Sequence, residues 1–127
     1  VLQKIKMNIE QLYNYCMNKK GTTESFPFDQ DTLVFKVLNK MYALTSLEKW
    51  EAGNCSVVLK CEPEKAVQLR EEYQAVTAAF HINKTHWNNV TFHQDVPEKE
   101  ILKLIDLSYD LVVAGMSKKD RDLLKNM

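Results

Sequence analysis

Residues 55–61, Cys-Ser-Val-Val-Leu-Lys-Cys, place apolar side chains at every odd position. That two-residue period belongs to a strand buried on one face and wet on the other. Such a strand cannot stand alone. It needs hydrogen-bonded neighbours at its edges and something apolar to cover its inner face. The search for those partners organises the rest of the chain.

Candidate neighbours are runs 33–38 and 41–45, joined by a tight turn at Asn39-Lys40, and runs 76–81 and 89–93. The cover is helical. Leu2, Ile5, Ile9, Leu12, Tyr13 and Cys16 recur at helical spacing over residues 2–19, with Gly21 as a stop. Pro63 suits the first turn of a helix over 63–73. Asp95-Val96-Pro97-Glu98 predicts a capped start for a long helix over 96–115, whose leucines and isoleucines make a broad apolar stripe. Its Ser108 hydroxyl is expected to bond the carbonyl four residues back, and Asp106 and Asp110 to form a solvated face with Lys103. Ser117 with Asp120 starts a short terminal helix. Strands and helices are segregated, which predicts an α+β fold: a two-layer sandwich with a five-stranded antiparallel sheet, in the order α-β3-α-β2-α plus the short C-terminal helix.

The 127 residues fit a single domain, with Met7 as a candidate start and residues 1–6 as an extension. Lys plus Arg and Asp plus Glu are both 17, so the net charge of zero argues against a chain wrapped in nucleic acid while leaving room for a local basic patch. No apolar run is long enough to span a membrane, and none resembles a secretory signal. Cys55 and Cys61, on one strand, would lie about 20 Å apart, beyond the roughly 7 Å a disulfide tolerates. Reduced, buried thiols in a cytoplasmic protein are expected.

The segment His81-Ile82-Asn83-Lys84-Thr85-His86-Trp87-Asn88-Asn89-Val90 is too polar for a core and too aromatic for plain surface. It reads as a loop or hairpin tip built for recognition. Lys84 suits a phosphate, Asn83 and Asn88 suit phosphate or base edges, and His86 and Trp87 suit stacking on a splayed base. Lys36 and Lys40, with Lys60, are candidate phosphate contacts nearby. The bland alternative has the asparagines satisfying turn geometry and Trp87 plugging the core. His81, His86, His93 and Cys61 lack metal-ligand spacing, and no nucleophile elbow, phosphate loop or dinucleotide fingerprint is present. A non-enzymatic protein without metal or cofactor is expected.

Pro27-Phe28-Asp29, Lys40-Met41-Tyr42-Ala43-Leu44, Leu59-Lys60-Cys61 with Pro63-Glu64, the His81–Val90 segment, and Ser108-Tyr109 with Leu111-Val112-Val113 resemble the MmcQ/YjbR family, in its order and over nearly the whole chain from Met7. The resemblance implies a two-layer fold with a five-stranded antiparallel sheet, a "double-wing" arrangement, and the DNA-binding label often attached to the family. Ala78-Ala79 stands where the family often has Pro-Gly, which implies a less sharply bent approach to the loop. The resulting expectation is a cytoplasmic, monomeric DNA-binding protein using His81, Asn83, Lys84, His86, Trp87, Asn88, Lys36 and Lys40. The alternative is a protein-interaction or chaperone-like adaptor that uses an exposed sheet face or groove, suggested by Trp50, Tyr42 and Phe28.

Overall fold

The computed structural model describes residues 7–80 and 82–127. The elements are α1 (Ile9–Met17), β1 (Thr22–Ser25), β2 (Thr32–Val37), β3 (Lys40–Ser46), α2 (Leu47–Glu51), β4 (Ser56–Lys60), α3 (Pro63–Glu72), β5 (Val76–Ala78), β6 (Trp87–Thr91), α4 (Glu98–Ala114) and α5 (Lys118–Lys125). The fold is α+β. Its open, wholly antiparallel sheet has six strands rather than five, in the order β1-β2-β3-β4-β6-β5. The added strand β1 is Thr-Thr-Glu-Ser, polar throughout, so no apolar alternation marks it. The polar segment also ends sooner than expected, because Trp87 already pairs with Lys60 as the first residue of β6.

The principal core lies on one face of the sheet. Leu33, Phe35, Val37, Val57, Leu59 and Val90 pack there against Leu12 and Cys16 of α1, Leu69 of α3, and Ile101, Leu104 and Ile105 of α4. The β2–β3 turn is Leu38-Asn39, not Asn39-Lys40. Both residues have positive φ, 45° and 69°, as a two-residue turn matching strand twist requires. After that turn β3 carries one extra residue. Phe35 faces Ala43 and Lys36 faces Met41, leaving Tyr42 as the bulge.

The bulge ends regular pairing between β3 and β4, whose register covers Ala43↔Leu59 and Leu44↔Val58. Ser108 of α4 fills the gap. Its hydroxyl donates to the Tyr42 carbonyl at 2.6 Å and accepts from the Lys60 amide at 2.9 Å. It therefore stitches two strands together instead of bonding its own helix. Asp106 likewise departs from expectation, accepting from the Tyr15 hydroxyl at 2.8 Å and Lys19 Nζ at 2.5 Å and so tying α4 to α1. The Asp95 carboxylate does not cap α4. It accepts from the amides of Gln74 and Ala75 at 2.6 and 2.8 Å and holds the turn into β5.

Tyr42, read from sequence as exposed, is fully buried, with its hydroxyl donating to the Cys16 carbonyl at 3.1 Å. Trp50 belongs to α2 and is half-buried. Its indole N–H donates to Thr45 Oγ1 at 2.7 Å. Cys16 is buried, but Cys55 and Cys61 are half-buried. Among the described residues no helix is long and apolar enough to cross a membrane.

Candidate functional site

Among the described residues, the sheet's second face is left uncovered: no helix adds to the apolar cluster on it. Facing pairs in the register place Thr23, Lys36 and Met41 in one row, Leu44, Val58, Asn89 and Thr77 in another, and Lys60 beside Trp87. A small apolar cluster sits there: Val34, Leu44, Ala79 and Trp87, with Met41, Val58 and Ile82 against it.

Trp87 is thus part of this second core. At 8% exposure its ring is packed away and does not present a stacking face. Asn88, its neighbour in β6, points the opposite way. It is 2% exposed, accepts from Arg70 Nη1 at 2.7 Å and donates to the Ala66 carbonyl at 3.1 Å. Its amide braces α3 against β6, so the base-reading role expected of Asn88 is contradicted by its surroundings. Alternation along a strand is the reason: adjacent residues cannot serve one face.

Asn83 is exposed but occupied locally. Its Oδ1 accepts from the Thr85 amide at 2.9 Å, and its carbonyl from the His86 and Trp87 amides at 3.2 and 3.0 Å. Lys84 is exposed, its carbonyl 3.5 Å from Arg70 Nη1. His86 is half-buried, and its carbonyl accepts from the Cys61 amide at 2.7 Å. His81 lies outside the described residues.

Some expected residues do converge. Lys40, at the hairpin end, shares a shallow depression with Lys60, Trp87 and Met41, closed on the far side by Leu111 and Gly115 of the α4 end. Lys36 lies on the same end of the sheet through its pairing with Met41. The strands hold one carboxylate among their described residues, Glu24, and its register partner Phe35 places it on the helix-covered face, where it accepts from the Tyr13 hydroxyl at 2.7 Å. The ionisable strand residues on the uncovered face are therefore lysines.

Two larger hollows went unread in the sequence. A trough of about 550 Å³ runs over the middle of the uncovered face, between Phe28 and Phe80. Asp29 lines it, yet its carboxylate is held by its own loop. The amides of Thr32 and Asp31 donate at 2.6 and 2.9 Å and pull its pKa below the usual carboxylate value. A second hollow, a cleft of about 360 Å³, opens between α3 and α4 above Leu59 and Val90, with Leu107, Leu111 and Cys61 at its sides. Burial pushes the Cys61 thiol pKa up, which disfavours the reactive thiolate. Among the described residues no three His, Cys, Asp or Glu side chains group as metal ligands. In the sequence the trough had only a faint signal, the loop aromatics Phe28 and Phe80, which the structure leaves exposed at its two sides.

A family model described as YjbR matches residues 17–111. The chain belongs to the YjbR family. YjbR of Escherichia coli K12 is 33% identical over 118 residues, covering 93% of this chain and 98% of that protein. The crystal structure of Deinococcus radiodurans DR2400, with a DUF419 domain, superposes with a TM-score of 0.84 at 36% identity, over 98% of this YjbR-family chain and 92% of that one. A Pseudomonas syringae protein gives a TM-score of 0.68 at 30% identity, over 83% and 98%. These YjbR relatives are matched along most of their length, so the uncovered sheet face and its trough are features to look for across the family.

Proposed function

We propose that this YjbR-family chain is a nucleic-acid-binding module that holds the phosphate backbone against the uncovered face of its sheet. The observation that carries the reading is the sorting of charge described above: Lys36 and Lys60 on that face, Lys40 at its rim, and the strand carboxylate turned away. A neutral protein arranged in this way offers a polyanion a local positive field. The contacts position the nucleic acid without chemistry, and affinity should fall with salt in proportion to the few phosphates engaged. Relative to the sequence reading, the interface moves off the 81–88 loop and onto the strands. Lys36 and Lys40 stay in it. Asn88 and Trp87 serve the packing beneath.

An amide-shift NMR titration with a short mixed-sequence duplex and a single strand, at low and physiological salt, tests this. Shifts are expected in β2, β4, β6 and the 38–40 turn, fading with salt and lost in Lys36→Glu/Lys60→Glu. Absence of shifts with both nucleic acids at low salt, or shifts confined to helices, refutes the reading.

A second reading, a protein-interaction adaptor, draws on the α3–α4 cleft. Leu107 stands 52% exposed at its edge. A partner captured by the wild type and lost with Leu107→Arg, with nucleic-acid shifts unaffected, would favour it.

A further inference from the structure

The trough has features that phosphate contacts alone leave unused. Its volume of about 550 Å³ lies inside the roughly 300–1,000 Å³ of ligand cavities. Met41, Leu44 and Val58 line its base, with the Asn89 side chain beside them. Phe28 and Phe80 enter from opposite sides of the sheet, one between β1 and β2 and the other just after β5, the two ends of the strand order. They are 64% and 80% exposed. Both rings therefore forgo most of the gain that burial of a phenylalanine brings.

We propose that the trough receives an unpaired nucleobase, so that the nucleic acid is single-stranded where it crosses the sheet. This rests on the preceding reading, in which lysines hold the phosphates. Lys36 sits opposite Met41 at one end of the trough, and Lys49 lines it near Ser46 at the other. The run from Met41 to Ser46 extends about 17 Å at the usual strand rise, which separates two phosphate contacts with room for bases between them. Any base offers a π-face to Phe28 and Phe80, and the Asn89 amide sets a donor and an acceptor side by side, as a base edge does. An apolar peptide would match the base of the trough but bring no anion to Lys36 at its end.

Fluorescence anisotropy with labelled oligodeoxyadenylate and with its duplex, at low salt, tests the inference on wild type and Phe28→Ala/Phe80→Ala. Both rings are exposed, and an unchanged amide spectrum verifies the variant's fold. The single strand should bind more tightly than the duplex. The double variant should lose about 10- to 100-fold of single-strand affinity, as removal of a stacking platform does, and keep its duplex affinity. Equal binding of both forms with no effect of the double variant overturns the trough proposal and leaves the sheet-face reading standing. No binding of either form removes both. Self-association abolished by the double variant, without single-strand binding, assigns the rings to a second copy of the chain and overturns the proposal.

Discussion

Replacing Ser108 with alanine should destabilise the fold by about 3 kcal/mol. The side chain is fully buried, and its oxygen satisfies the Tyr42 carbonyl and the Lys60 amide at the point where the bulge has parted β3 from β4. Orphaning a buried polar group costs about 1–3 kcal/mol, so two such groups cost about 4. Alanine is the better helix former by about half a kcal/mol, and its smaller side chain leaves little void. The net corresponds to a drop in Tm of roughly 10 °C for a chain of this length. Urea unfolding would report it as a lower midpoint at unchanged slope. Hydrogen exchange at the Lys60 amide should accelerate in parallel. A serine bonding its own helix would behave oppositely, because removing that bond is neutral or mildly stabilising. A variant as stable as the wild type would therefore refute the assigned bridge.

Asn88→Ala should cost about 2 kcal/mol, from two lost hydrogen bonds and a small buried void; urea unfolding measures the cost, and faster amide exchange over residues 83–86 should accompany it, since Arg70 also reaches the Lys84 carbonyl. Gly21→Ala should destabilise by about 2 kcal/mol, read as a lower Tm, because φ is +74° and an added Cβ would meet Leu124 Cδ1 at 2.5 Å. Stability should fall as pH rises from about 9 towards 12. Burial pushes Cys16 up from 9.0 to about 12, and burial with the Asp106 hydrogen bond takes Tyr15 from 10.0 to about 12. The folded state then holds protons that the unfolded state has lost, so the contribution is complete below pH 9 and fades through that window; a urea midpoint constant from pH 9 to 12 would contradict it.

Elements with a strong hydrophobic period were legible in the sequence. The alternation at 55–61, the stripe on α4 and the Ser117 cap of α5 each signal their structure locally, and each is found. What escaped depends on contacts far apart in the chain. β1 is polar because it is an edge strand whose partner β2 supplies the apolar side, so Thr22–Ser25 resembles a loop. The Tyr42 bulge and its Ser108 bridge join residues 66 positions apart, beyond what periodicity can register. The site was half legible for a related reason. Lys36, Lys40 and Lys60 gather because the strands align them, whereas Trp87 and Asn88 are separated by the pleat once β6 is known to begin at Trp87.

The strand order has a further consequence for how the molecule meets others. Its two boundary strands, β1 and β5, have four and three residues, against seven in β3 at the centre. Borders that short leave few backbone donors and acceptors for an incoming chain to extend, and they resist the edge-to-edge polymerisation that longer margins invite. A guest that docks on this sheet finds side chains on its face rather than a long backbone edge to pair with.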